Sequence, residues 1–202
     1  MSEVKFVLAS NNKGKLREMR EILGEAGVSV LSQSEAGIQV EPEETGTTFE
    51  ENALIKARAA CLAAGIPAIA DDSGLVVDAL GGAPGVYSAR YGNCATDEER
   101  VELLLSNMRG KEQRSARFVS CIAAVFPNGD ELVTRGECEG EITQSPAGEN
   151  GFGYDPVFYM DCFGRTLAEV TAEEKNGVSH RGKALRAMKT KLDTYFKENK
   201  PC

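Results

Sequence analysis

The sequence predicts an α/β protein with a mixed β-sheet and flanking helices. Helical and strand patterns alternate through the first half of the chain, and two strand patterns joined by a tight turn follow in the second half. Alternation of this kind favours parallel strands, whereas a hairpin adds antiparallel ones. The 202 residues, 42% of them hydrophobic, are enough for a sizeable core, and we predict one domain spanning residues 1–202.

The start of the chain predicts a strand, a loop and a helix in succession. Residues 4–9 form an apolar run typical of a short strand, and residues 10–14 form a polar loop. The following residues place leucine, methionine and isoleucine at helical spacing, which predicts a helix that ends near Gly24 or Gly27.

A second helix is predicted from the capping-box pattern of Thr48 and Glu51 to a stop at Gly65. The second half of the chain predicts a glycine-rich loop, a third helix, a hairpin and a final helix. An Asn-Gly pair, typical of tight turns, indicates the hairpin. The glycine-rich loop covers residues 81–85, and the third helix covers residues 96–108. The two strands of the hairpin cover residues 117–126 and 131–136, and the final helix begins at about residue 179.

The charge balance and the cysteines limit the partners and the compartment. A net charge of −8 disfavours binding to nucleic acid or to an anionic membrane surface, because the mean field repels phosphate. A polyphosphate substrate therefore requires local lysines and arginines, helix N-termini and a bound cation. The six scattered cysteines and one histidine disfavour zinc and predict small buried thiols in a reducing cytoplasm. No apolar stretch approaches the roughly 18 residues of a membrane span.

Two adjacent carboxylates, Asp71 and Asp72, lie between the apolar runs 65–70 and 75–77. We expect them to occupy a turn between buried segments. Like charges this close raise one pKa or recruit a divalent cation, and Mg²⁺ prefers carboxylate oxygen and then binds substrate phosphates. The alternative interpretation is that both acids only cap a turn.

A second acidic cluster, over residues 41–46, lies immediately before the capped helix. We expect a carboxylate of this cluster, preferably that of Glu43, to join Asp72 in holding one Mg²⁺. The alternative interpretation is a solvated acidic loop.

The opening loop offers groups that suit a cluster of phosphate oxygens at a helix N-terminus. It contains a hydroxyl, two amides and two ammonium groups, and it lacks the G-x-x-x-x-G-K-[ST] spacing of an ordinary NTPase loop. The alternative is a plain helix cap. The predicted phosphate ligands are Ser10, Asn11, Asn12, Lys13, Gly14 and Lys15.

An aromatic motif at residues 151–156 and donors near the last helix complete the candidate site. Phe152 can stack on a planar base while Asp155 accepts a hydrogen bond, although the motif alone also suits an aromatic-rich turn. Lys175 and the start of the last helix add donors. A lone histidine such as His180 is more often structural than catalytic.

Six ordered motifs extend this interpretation to nearly the whole chain. S-N-N-K-G-K, E-E-T-G-x-T-F-x-E-N-A, A-D-D-S-G-L, G-G-A-P-G-V-Y-S-A-R-Y, G-F-G-Y-D-P and S-H-R-G-x-A-L closely resemble the inosine triphosphate pyrophosphatase family, from about residue 4 to residue 190. The resemblance implies a homodimeric α/β protein whose long mixed sheet floors a nucleotide-binding cleft between two lobes. It also implies Mg²⁺-dependent hydrolysis of ITP, dITP and XTP to the monophosphate and pyrophosphate, which clears deaminated purines.

The resemblance also assigns roles to residues. Asp72 is expected to be the general base and a metal ligand, with Glu43 as the second ligand, and residues 10–15 are expected to hold the triphosphate. The chain departs from the family pattern at Asn11, where glycine is frequent, and at the Asn-Gly pair after Lys175. The remaining expected nucleotide ligands are Ser73, Phe152, Gly153, Tyr154, Asp155, Lys175, His180 and Arg181.

Base selection has a physical explanation in this interpretation. A hydrogen-bond donor of the protein can bind the 6-oxo group of hypoxanthine, which is an acceptor. The 6-amino group of adenine is itself a donor, so it leaves each such protein donor unpaired, at a cost of roughly 1–3 kcal/mol. We therefore expect Arg181→Ala to narrow the ratio of kcat/KM for ITP to that for ATP. Two alternatives stay open at this point, a related house-cleaning pyrophosphatase for modified pyrimidine nucleotides and a nucleotide-binding regulator without turnover.

Overall fold

The computed structural model describes residues 4–199, except for the side chain of Asn176. Strands and helices alternate up to the hairpin, as expected. The strands are β1 (Val4–Leu8), β2 (Val28–Leu31), β3 (Ala68–Val77), β4 (Ser115–Val125), β5 (Glu131–Ile142), β6 (Phe158–Met160) and β7 (Arg165–Thr166). The helices are α1 (Lys13–Gly24), α2 (Phe49–Ala64), α3 (Asp97–Asn107), α4 (Ala172–Val178) and α5 (His180–Glu198). Short 3₁₀ segments also occur in the described residues, at Asp78–Leu80, Asp155–Val157 and Leu167–Glu169 and on the two sides of a kink at residues 90–92 within Gly85–Asn93.

The strands form one mixed sheet in the order β2-β1-β3-β4-β5-β6-β7. Strand β1 runs parallel to β2 and to β3, whereas β6 runs antiparallel to β5 and to β7. The predicted mixed sheet with flanking helices is therefore confirmed. The hairpin turn is confirmed as well, since the Phe126 N–H donates to the Asp130 carbonyl at 2.9 Å.

The described residues divide into two compact units. Unit 1 comprises the described parts of residues 1–72, 120–136 and 181–202, and unit 2 comprises residues 73–119 and 137–180. The core of unit 1 includes side chains from β1, α1 and α5, and the core of unit 2 includes side chains from α3, β5 and β6. The single domain over residues 1–202 stays a prediction.

Local capping chemistry explains where α2 begins and ends. The Thr48 side chain accepts a hydrogen bond from the Glu51 N–H while the Glu51 carboxylate accepts from Thr48, which is the predicted capping box. Gly65 ends the helix in the left-handed conformation, with φ of 66°. In the predicted final helix, α5, Leu185, Met188 and Leu192 recur at helical spacing and are fully buried.

The prediction that Asp71 and Asp72 lie on a turn is wrong. Both belong to β3, which is a continuous strand of ten residues, and both are buried. A strand tolerates two buried charges only where opposite charges and hydrogen-bond donors meet them. The basic side chains that compensate these two acids come from distant parts of the chain. The local sequence pattern does not show them, and it therefore favoured a turn.

Several smaller elements were absent from the sequence prediction. These are β2, β6, β7 and α4, each between two and seven residues long. Strand β5 also continues six residues past the predicted end at residue 136. Short elements carry too few residues for a reliable hydrophobic period.

The cysteines follow their expectation only in part. Cys61, Cys121 and Cys138 are free and buried, whereas Cys94 is half-buried and Cys162 is exposed. Cys202 lies outside the described residues. Among residues 4–199, no helix combines the length and the apolar content that a membrane crossing needs.

Candidate active site

Asp71 is the centre of a buried ion-pair network in unit 1. Its Oδ2 atom lies 2.7 Å from Nε of Arg181 and 3.1 Å from Nζ of Lys15. Its Oδ1 atom accepts a hydrogen bond from the Ser120 hydroxyl at 3.0 Å. Both carboxylate oxygens are thus occupied by protein groups, which gives Asp71 a structural role.

The Arg181 guanidinium lies between two carboxylates. Its Nε atom contacts Asp71, and its Nη1 atom lies 3.2 Å from Oε2 of Glu18. Burial opposes the charge, but the attraction of Asp71 and Glu18 outweighs this and raises the pKa of Arg181. Arg181 is therefore held in unit 1 as part of the network around Asp71.

Asp72 and Glu44 share one ammonium group. Nζ of Lys56 lies 2.6 Å from Oδ1 of Asp72 and 2.9 Å from Oε1 of Glu44, and it also donates to the Asp71 carbonyl at 3.1 Å. Burial raises the pKa of the Asp72 carboxyl group, and Lys56 offsets only part of this rise. For Lys56, burial opposes the charge, but Asp72 and Glu44 outweigh it and raise its pKa. Two acids beside one ammonium leave a local excess of negative charge.

The loop before α2 determines which glutamate reaches Asp72. The Gly46 N–H donates to Oδ1 of Asn52 at 2.8 Å, and a Cβ atom on Gly46 would lie only 2.6 Å from that oxygen. Only glycine allows this close approach, which ties the loop to the first turns of α2. With this backbone path, Glu44 contacts Lys56 and Glu43 is exposed.

The carboxylates of Glu44 and Asp72 fit Mg²⁺ as a site completed by substrate. Among residues 4–199, no group of three or more His, Cys, Asp or Glu side chains is arranged to hold a metal ion. Mg²⁺ commonly takes only one or two carboxylates and fills its other positions with water and substrate phosphates. The shared ammonium of Lys56 shows that these two carboxylates already converge on a single cation.

The predicted phosphate loop is a well-formed helix N-terminus. Oδ1 of Asn12 accepts a hydrogen bond from the Lys15 N–H at 3.0 Å and so caps α1, and the Asn12 N–H donates to the Ser10 hydroxyl at 3.2 Å. Asn11, Lys13 and Gly14 are exposed. Of the two ammonium groups in the loop, that of Lys13 faces solvent, whereas that of Lys15 is bound to Asp71.

The aromatic motif in unit 2 presents one exposed ring. The Phe152 side chain is 65% exposed, and Nζ of Lys175 lies 4.6 Å from the centroid of its ring. Oδ2 of the buried Asp155 accepts hydrogen bonds from the Phe152 N–H at 3.0 Å and from Lys175 at 2.5 Å. Phe152, Asp155 and Lys175, three predicted ligands, are thus brought together.

Three other predicted ligands take different positions. Tyr154 is buried and donates its hydroxyl to the Ser88 carbonyl at 2.9 Å, so its ring does not face solvent. His180 is buried and stacks on Phe118, with 5.1 Å between the ring centroids. Ser73 is a half-buried residue of β3.

Comparison with protein families gives a match to the Ham1 family over residues 6–191. The chain belongs to the Ham1 family. The resemblance inferred from the six motifs is therefore confirmed.

Two relatives named dITP/XTP pyrophosphatase match nearly the full length of this Ham1 chain. The protein from Symbiobacterium thermophilum is 50% identical over 200 residues, which cover 98% of this chain and 100% of the relative. A protein from Thermus thermophilus is 51% identical over 187 residues, covering 92% of this chain and 90% of the relative.

Two solved structures share the fold of this chain. The HAM1 protein of Coxiella burnetii is 46% identical with a TM-score of 0.89, covering 95% of this chain and 99% of that one. A nucleoside-triphosphatase/dITP/XTP pyrophosphatase of Mycobacterium abscessus is also 46% identical, with a TM-score of 0.79 and coverage of 92% and 97%.

Lys56 is the main site residue of this Ham1 protein that sequence reasoning missed. It lies in α2 three residues after the buried Ala53 and four residues before the buried Ala60, on the same side of the helix. A charged residue beside a buried alanine face requires a partner, and this pattern could have indicated an ion pair with the nearby acids.

Proposed function

We propose that this hydrolase, acting on phosphoric anhydrides, converts ITP, dITP and XTP to the monophosphate and pyrophosphate. Its activity clears deaminated purines from the nucleotide pool. The observation that carries the proposal is the identity of 50% over 98% of the chain to a dITP/XTP pyrophosphatase. The carboxylates of Asp72 and Glu44 beside Lys56 provide the chemistry that this reaction needs.

In this proposal Asp72 is the catalytic residue. A water oxygen forms a bond to the α-phosphorus, the bond from that phosphorus to the bridging oxygen breaks, and pyrophosphate leaves. The proton of the attacking water passes to the Asp72 carboxylate, whose raised pKa suits a proton acceptor better than an ordinary aspartate. Lys56 fixes the orientation of that carboxylate through its 2.6 Å contact.

The phosphate chain is held by the opening loop in this proposal. The N-terminus of α1 directs backbone N–H groups and the positive end of the helix dipole at an anion. Residues 10–15 supply these groups, and the exposed Lys13 adds a positive charge. Phe152 stacks on the purine, and the Lys175 ammonium beside its ring adds a donor near the base.

Mg²⁺ is the proposed cofactor, held by Asp72 and Glu44. When bound, it neutralises charge on the phosphate oxygens. Glu43, the ligand preferred on sequence grounds, is exposed, whereas Glu44 contacts the same ammonium as Asp72.

The two glutamates give a matched pair of variants. We expect Glu44→Gln to raise the Mg²⁺ concentration for half-maximal turnover of dITP by at least about tenfold, because a ligand oxygen loses its charge. We expect Glu43→Gln to change it less than about twofold. The reverse order of the two variants would return Glu43 to the metal site.

Product analysis tests the proposed reaction. With Mg²⁺ present, we expect pyrophosphate and monophosphate from ITP, dITP and XTP, and little product from ATP or GTP. Pyrophosphate and orthophosphate are assayed separately, and a set of modified pyrimidine triphosphates serves as the comparison. Orthophosphate as the first product would instead indicate attack at the γ-phosphorus, and absence of turnover would indicate a binding protein.

The proposal also includes the oligomeric state of the protein and its location in the cell. We infer a homodimer in the cytoplasm from the resemblance to the inosine triphosphate pyrophosphatase family. Light scattering on the purified protein would give the mass of the assembly, and a mass near that of one chain would contradict the dimer.

A further inference from the structure

Asp97, the first residue of α3, makes two separate contacts through its two carboxylate oxygens. Oδ2 accepts a hydrogen bond from the Gly153 N–H at 2.8 Å, and Oδ1 lies 2.5 Å from Nη2 of Arg100. Arg100 is held in turn by the Cys94 carbonyl, to which its Nη1 atom donates at 3.0 Å. The sequence predicted only that residue 97 lies near the start of the third helix.

The contact with Gly153 fixes the backbone on one side of Phe152. On the other side, the Phe152 N–H donates to Oδ2 of Asp155 at 3.0 Å. The two peptide groups that flank Phe152 are therefore each bound to a carboxylate. Because these two peptide planes define the backbone angles of Phe152, they also define the direction in which its exposed ring leaves the chain.

The Asp97 carboxylate is well suited to this contact. Burial opposes its charge, but the hydrogen bonds from Arg100 and Gly153 outweigh burial and lower its pKa. It is therefore ionised at neutral pH, and a backbone N–H bound to a charged carboxylate forms a stronger hydrogen bond than one bound to a neutral acceptor.

We propose that Asp97 is a positioning residue for the purine base, which acts by holding Gly153 and thereby the ring of Phe152. The inference rests on the proposed hydrolysis of purine triphosphates. In this proposal Asp97, a residue of α3 outside the six sequence motifs, affects the affinity for the substrate and not the chemical step.

Two variants separate this role from an effect on the helix. Asp97→Ala removes the contacts with Gly153 and Arg100 together with one negative charge in the first turn of α3. Glu98→Ala removes a negative charge from the same turn, where Glu98 is exposed. Both variants weaken the favourable interaction with the helix dipole to a similar extent. Only Asp97→Ala releases Gly153.

Steady-state kinetics with dITP and XTP gives the first readout. We expect Asp97→Ala to raise KM by about 5- to 30-fold, because only part of the free energy of the lost hydrogen bond is transmitted to the base through Phe152, with kcat within about twofold of wild type. Asp97→Asn keeps an oxygen that accepts from Gly153 and should recover part of the affinity. Glu98→Ala should keep the wild-type KM.

Amide hydrogen exchange of Gly153 gives a second readout that needs no turnover. We expect faster exchange in Asp97→Ala and wild-type exchange in Glu98→Ala. Unchanged exchange, or an unchanged KM for dITP in Asp97→Ala, would overturn the inference. If the wild-type protein fails to hydrolyse dITP and XTP, the proposed function fails and the base role falls with it, whereas the exchange result still decides whether Asp97 holds Gly153.

Discussion

Asp72→Asn is expected to lower kcat for dITP by about 10²- to 10⁴-fold, the range for loss of a positioned proton acceptor. The amide has nearly the same shape as the carboxylate, but it cannot take the proton of the attacking water. The amide also lacks the negative charge that attracts a cation. Single-turnover and steady-state rates at saturating Mg²⁺ measure the loss.

Nucleotide binding separates catalysis from folding in this variant. A fold that persists should bind dITP within about tenfold of the wild-type affinity, because the phosphate loop and Phe152 are unchanged. Glu43→Gln is the matched control, since it removes an exposed carboxylate from the neighbouring acidic loop. A variant Asp72→Asn that keeps more than a tenth of the wild-type kcat would exclude Asp72 as the proton acceptor.

Local chemistry made parts of the fold predictable from the sequence. The start of α2 follows from contacts between residues three positions apart, namely Thr48 and Glu51, so a capping box is visible in the chain itself. The hairpin at residues 127–130 is similarly local. Buried helix faces, such as that of α5, also follow from periodic spacing.

Long-range charge compensation made other parts unpredictable. Asp71 is contacted by Arg181, 110 positions away, and by Ser120, 49 positions away. Because a local sequence pattern does not include these distant partners, two adjacent acids indicate a turn rather than a buried strand. The choice between Glu43 and Glu44 cannot be made from the sequence for a related reason, because it depends on a backbone path that Gly46 and Asn52 determine together.

Arg181→Met is expected to lower the free energy of unfolding by about 3–5 kcal/mol, since it leaves a buried carboxylate without its principal partner. Asp71 is 2% exposed and keeps Lys15 and Ser120, but its 2.7 Å contact with Arg181 is lost. Urea denaturation measures the change. Arg165→Met, which breaks the exposed ion pair with Glu174, is the matched control and should cost less than about 1 kcal/mol.

A double variant distinguishes loss of the ion pair from loss of packing. Because Asp71→Asn removes the charge that Arg181 compensates, the pair Asp71→Asn with Arg181→Met should be less destabilised than the sum of the two single variants. Additive losses would show that Arg181 contributes through its volume rather than its charge.

The single variant Arg181→Met also tests the expectation from the sequence that Arg181 selects the base. Its Nε and Nη1 atoms bind Asp71 and Glu18, so we expect the ratio of kcat/KM for ITP to that for ATP to change less than about threefold in the folded fraction. The 6-oxo group of the purine then depends on other donors, of which Lys175 lies beside Phe152. A ratio that falls by about tenfold or more, with stability near wild type, would instead place Arg181 against the base and outside the structural network.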